Sequence, residues 1–165
     1  MKKTIYLVLI LSTIFIEVKS QKAAKSIFVG VGGPAALGVS IDYDTRFSKR
    51  NDGLGMKIGT GMVLNWGNYG YVIPLELNYL FPISKERSFL EMGVGASYFY
   101  SDEVKGFLGH EKESLFYSYL WLGYRYQPPV KGFTFRAGLC PLLGSINSKF
   151  DAVPFAGLSI GYKFK

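Results

Sequence analysis

The chain has 165 residues, 48% of them hydrophobic and 16% aromatic, with 20 glycines, one histidine, one cysteine and a formal charge of +7. That length suits a single domain, and the lone Cys140 excludes an internal disulfide or a cysteine-built metal site; no metal or cofactor is expected. The bases are spread singly, without the Lys/Arg blocks of a nucleic-acid binder, so nucleic acid is not an expected partner.

Residues 1–20 read as a cleaved signal peptide. Lys2 and Lys3 precede an apolar run from Ile5 to Ile16, and Val18 and Ser20 stand at minus three and minus one before Gln21. The run falls short of the ~20 residues that span a bilayer as a helix. Cleavage would remove three of 19 bases and one of 12 acids, leaving a charge of +5 on residues 21–165.

The rest of the chain has a period of two, the mark of strands with a different environment on each face. Ile27, Val29 and Val31 alternate with Ser26, Phe28, Gly30 and Gly32. From Leu37 to Phe47, Leu37, Val39, Ile41, Tyr43, Thr45 and Phe47 oppose Gly38, Ser40, Asp42, Asp44 and Arg46. Leu54, Met56, Ile58, Thr60 and Met62 then oppose Gly55, Lys57, Gly59 and Gly61. From Tyr71 to Phe81 an apolar face opposes Val72, Pro74, Glu76, Asn78 and Leu80, with a bulge or local bend expected at Pro74 because proline cannot donate to the ladder.

Leu90 to Tyr100 follows, opposite Phe89, Glu91, Gly93, Gly95, Ser97 and Phe99. Phe116 to Tyr126 opposes Tyr117, Tyr119, Trp121, Gly123 and Arg125, and Phe133 to Leu139 opposes Thr134, Arg136, Gly138 and Cys140. The last run, Ala156 to Phe164, opposes Gly157, Ser159, Gly161 and Lys163. Eight runs of mostly transmembrane-strand length predict an all-β fold, an eight-stranded antiparallel up-and-down transmembrane β-barrel.

The links alternate as such barrels require. "SKRNDG", "PISKER" and "QPPVKG" read as short periplasmic turns, whereas "NWGNYG", "SDEVKGFLGHEKES" and "LLGSINSKFDAV" read as outer loops, and "GGPAA" as a short outer turn. Both termini are then periplasmic. A soluble barrel would have to enclose the rings of Tyr43, Tyr71, Tyr79, Phe81, Tyr98, Tyr124, Phe133, Tyr162 and others, too much volume for an interior of this size. Turned outward, those rings sit near strand ends, where aromatic girdles meet the interfaces.

With the apolar face toward lipid, the lumen collects Asp42, Asp44, Glu76 and Glu91 against Arg46, Lys57, Arg125, Arg136 and Lys163. An Arg or Lys on the lipid face costs ~2–4 kcal/mol near the midplane, which explains the segregation onto one parity. Near-balanced charges predict a salt-bridged, plugged lumen rather than a wide pore. The alternatives are a narrow solute channel and a lipid-modifying enzyme of the outer loops. His110 beside Glu111, Glu113 and Ser114 is the candidate base for the latter, but no motif of known spacing surrounds it. Trp66, Tyr69, Phe107 and Leu108 are candidate loop contacts for a partner or the membrane interface.

"GGPAALGVSIDYDTRF", "GLGMKIGTGM", "VIPLELNYLFP", "FLEMGVGASYFY" and "PFAGLSIGYKF" together resemble the small outer-membrane β-barrel family of the OmpA/OmpX type. The resemblance implies the fold; with the plugged polar interior, the expected protein is a monomer in outer-membrane lipid with a structural or surface-interaction role. It also implies that the last strand, with Gly157, Ile160, Tyr162 and Phe164, is the signal read by the outer-membrane assembly machinery.

Overall fold

A computed structural model of the chain describes residues 23–65, 68–84, 87–101, 113–146 and 149–164. The expected signal peptide lies outside the described residues, as does His110. Ten strand segments form one antiparallel sheet: β1 (Lys25–Gly32), β2 (Gly38–Arg46), β3 (Gly53–Asn65), β4 (Asn68–Ser84), β5 (Ser88–Ser101), β6 (Glu113–Tyr126), β7 (Gly132–Leu139), β8 (Leu142–Ile146), β9 (Lys149–Val153) and β10 (Ala156–Phe164). Each pairs with its sequence neighbour or across a short break, and β1 pairs with β10 to close the ring.

The ten segments make eight staves. β7 and β8 are one stave interrupted at Cys140 and Pro141, and β9 and β10 one interrupted at Pro154 and Phe155, since β6 pairs with both β7 and β8. The two breaks are side by side and still bonded: Cys140 N–H donates to Phe155 O at 2.7 Å, and Leu120 N–H to Pro141 O at 3.2 Å. Closure leaves no sheet edge along the central band, so backbone groups there are paired within the wall.

Two expectations about links are corrected. In "NWGNYG", Asn65 and Asn68 to Gly70 belong to strands, because β3 and β4 stay paired up to Asn65 opposite Asn68. "LLGSINSKFDAV" is mostly the β8–β9 hairpin, from Leu142 opposite Val153 to Ile146 opposite Lys149. The hydrogen-bond ladder runs on past the apolar band, where neither face needs hydrophobic residues and the alternation that marks a strand fades. The long link that remains between described strands is 102–112.

Of the two alternatives expected at Pro74, a bulge does not form. The β4–β5 register runs unbroken through Pro74 opposite Ser97 and shifts instead between Pro82 and Ser84. Toward β3 the register is unchanged on both sides of the proline, but the ladder lacks its pairs at Gly59 and Thr60. The missing N–H is thus absorbed as a gap in one ladder, without an extra residue.

The outside of the wall is apolar. Ile41, Ile58, Leu75, Val94, Leu122 and Ile160 form an exposed aliphatic belt. Rings border it at both ends: Tyr79 with Phe81 at 4.5 Å and Tyr162 with Phe164 at 5.6 Å toward the turns, Tyr98 with Phe116 at 5.3 Å toward the loops. No helix among the described residues is long and apolar enough to cross a membrane.

Candidate functional site: the charged lumen

The inward parity of every stave meets on the barrel axis, and its charges are almost wholly buried. Cross-strand register sets who can pair. Asp44 lies opposite Lys57, Lys57 opposite Glu76, and Arg125 opposite Arg136. Two guanidiniums side by side would repel, so an acid must stand between them, and Glu91 does. It accepts Arg125 Nε at 3.2 Å and Arg136 Nε at 3.0 Å on Oε2, while Arg125 Nη2 reaches Oε1.

Asp44 is the second hub. Arg125 donates to both its oxygens, at 3.0 and 3.1 Å, and Arg46 Nη2 donates to Oδ2 at 2.7 Å. Glu76 is the third, held by Lys57 at 3.1 Å and Arg136 at 3.0 Å. Asn78 ties the hubs together: its Nδ2 donates to Asp44 at 3.0 Å and to Glu76 at 3.1 Å, while its Oδ1 accepts Arg46. Asn78 carries no charge, so charge counting alone passes over it; its inward parity between Glu76 and Leu80 is the available signal.

Small residues make this packing possible. A Cβ at Gly55 would fall 2.2 Å from the Arg46 guanidinium, and one at Gly95 would fall 2.3 Å from the Tyr119 ring. Aromatic faces cover the remaining cation surface: Arg136 sits 4.0 Å above the Trp121 ring and Arg125 5.1 Å from the Phe28 ring.

Two of the nine residues expected in the network stand apart from it. Asp42 is buried on the same face, but its one described hydrogen bond is from Ser40 Oγ at 2.9 Å, and it joins none of the ion pairs among the described residues. At its level the neighbouring inward position is Gly59, which has no side chain to offer, so register denies it a base. Lys163 lies at the turn end, its ammonium donating to Pro128 O at 2.8 Å, Pro129 O at 2.9 Å and Asn51 Oδ1. Together with Gln127, which donates to Asn51 O at 3.2 Å, it builds a floor across the β2–β3 and β6–β7 turns.

The loop end is also covered, and the expected outer turn "GGPAA" does the covering. Gly33, Pro34 and Ala35 form a buried 3-10 turn folded over the lumen. Tyr117 O–H donates to Pro34 O at 2.5 Å, and the Trp121 ring packs beneath Gly33. The inward fold depends on Gly32 at φ 72° and ψ −149°, a conformation essentially restricted to glycine.

The split between Asp42 and Asp44 has a measurable consequence. Asp44→Asn is expected to lower barrel stability by about 3–5 kcal/mol, since it uncouples two buried arginines, whereas Asp42→Asn should change it by about 1 kcal/mol or less because no pair is broken. Urea titrations of both variants in lipid vesicles, followed by tryptophan fluorescence, check this; equal losses would place Asp42 in the network.

Among the described residues no group of three or more His, Cys, Asp or Glu side chains is arranged to hold a metal ion. No family model matches the chain, and no curated protein matches its sequence. Solved structures do match its shape. The N-terminal β-barrel domain of Pseudomonas aeruginosa OprF superposes with a TM-score of 0.61 at 14% identity, over 86% of this chain and 96% of that one. The chain has the fold of the small outer-membrane β-barrels.

A second solved barrel of this fold, the Yersinia pestis outer membrane protein Ail in a phospholipid bilayer nanodisc, gives a TM-score of 0.50 at 16% identity, over 86% of this chain and 98% of that one. At such identities the outer-membrane barrel fold is shared while side chains are free to differ. The lumen must therefore be read from its own residues.

Proposed function

We propose that this protein is an integral bacterial outer-membrane barrel, exported by a cleaved signal peptide, with a structural or surface-interaction role and a lumen closed to solutes. The observation that carries this reading is a polar interior bridged from side to side by Asp44, Glu76 and Glu91 inside an apolar outer wall. Transport would require breaking buried ion pairs, each costly to separate in a medium of low dielectric. Lys163 with its floor and Pro34 with its cap add a barrier at each end.

The termini and the short turns face the periplasm in this reading, and the β3–β4, β5–β6 and β8–β9 links face outward. The last strand, through Gly157, Ile160, Tyr162 and Phe164, is the segment proposed to meet the assembly machinery. An enzymatic role for His110, which lies outside the described residues, gains no support from the lumen.

The test combines two measurements on detergent-extracted protein. The unboiled protein is expected to come from the outer-membrane fraction and migrate faster than the boiled form on a gel. Planar-bilayer recordings in molar KCl are expected to give no unitary conductance steps; reproducible steps would establish the channel reading instead.

A further inference from the structure

Each turn at the end of the barrel that holds the termini sets a base beside an exposed apolar side chain. Phe47 and Lys49 follow β2, Ile83 and Arg87 flank the β4–β5 turn, and Val130 and Lys131 lie between β6 and β7. At the seam, Lys25 is in register with Phe164, and both are exposed. Lys25, Lys49, Arg87 and Lys131 take part in none of the ion pairs among the described residues.

The described acid of these turns, Asp52, is held at 2.8 Å by both Arg50 Nε and Arg50 Nη2. Lys85 and Glu86, between Ser84 and Arg87 in the sequence, cancel formally. The rim is therefore cationic and amphipathic at four places around its circumference. Solubility alone would favour bases without apolar neighbours. At a bilayer surface the pairing has a direct use, because the apolar side chain enters the upper acyl region while the base reaches the phosphate plane. A cavity of about 380 Å³ opens on the same rim, with Lys49, Arg50, Val130 and Phe164 in its lining.

We propose that this rim binds anionic phospholipid headgroups of the leaflet on the turn side, through Lys25, Lys49, Arg87 and Lys131. The inference rests on the barrel lying in a membrane. A base near an anionic surface contributes about 1 kcal/mol, equivalent to roughly five-fold in local lipid concentration.

The experiment places the full barrel in phosphatidylcholine vesicles containing one-fifth phosphatidylglycerol, and measures the association of spin-labelled phosphatidylglycerol and phosphatidylcholine with the protein. Heat-modifiable migration is recorded on every sample. The expected result is an enrichment of phosphatidylglycerol of about five-fold, abolished in the variant carrying Lys25→Gln, Lys49→Gln, Arg87→Gln and Lys131→Gln, and reduced at 0.5 M salt. Equal association of the two lipids with a folded barrel would overturn this proposal while leaving the membrane reading intact. So would an enrichment that survives in the variant, or one displaced by equimolar soluble glycerol phosphate. A chain that never acquires heat-modifiable migration in vesicles would instead overturn both.

Discussion

Glu91→Ala is expected to be among the most damaging single substitutions in the lumen, lowering the unfolding free energy by about 3–5 kcal/mol. Glu91 is the acid that bridges Arg125 and Arg136, which occupy directly opposed positions on β6 and β7. Removing it leaves two buried guanidiniums adjacent, with Asp44 and Glu76 already shared with Arg46 and Lys57. Both Arg pairs to the remaining acids stay in place, so the fold persists but weakens.

Equilibrium urea unfolding in vesicles, read by gel migration, measures the loss. A cycle with Arg125→Met locates its origin: the double variant Glu91→Ala with Arg125→Met should recover part of the penalty, because the uncompensated charge is gone. Additive losses would mean that Glu91 acts through packing and not through charge.

Removal of residues 157–165 is expected to abolish the barrel altogether. β10 is the stave that closes the ring, paired from Lys25 opposite Phe164 to Gly32 opposite Gly157 on one side, and with β7 on the other. Without it the edges of β1 and β7 are exposed, and unpaired backbone groups in hydrocarbon cost several kcal/mol each. In cells the truncated chain should be absent from the outer membrane.

Closure and the proposed recognition by the assembly machinery can be tested separately in this strand. Phe164→Ala keeps every backbone pair of β10, so refolding into vesicles should proceed with little change, while the amount assembled in cells should fall severalfold. Normal cellular assembly of Phe164→Ala would remove the aromatic end from the proposed signal.

The eight staves were legible in the sequence because a barrel in lipid reverses the usual solvents and leaves a period-two record. Thr134 to Cys140 and Gly157 to Lys163 carry inward small or polar side chains whichever strands they pair with. What exceeds the apolar band was not legible. Asn65, Asn68 and the β8–β9 hairpin extend the wall by backbone pairing, and backbone pairing leaves no side-chain pattern.

The same distinction governs the lumen. Parity alone placed Asp42, Asp44, Glu76, Glu91, Arg46, Lys57, Arg125, Arg136 and Lys163 on one face, since a charge on the other would lie in hydrocarbon. Which of them touch depends on register and closure, which are properties of strands distant in sequence. Arg125 reaches Asp44 across 81 residues of chain, and Arg136 reaches Glu76 across 60. Asp42 differs from Asp44 by one inward step along the same strand, yet only Asp44 stands within ion-pair distance of Arg46 and Arg125. The inward fold of Pro34 over Trp121 likewise needed the ring to close before there was an interior to cover. Sequence by itself determined which solvent each side chain meets, because that is local; the tertiary structure decided which charges neutralise one another and what seals the ends.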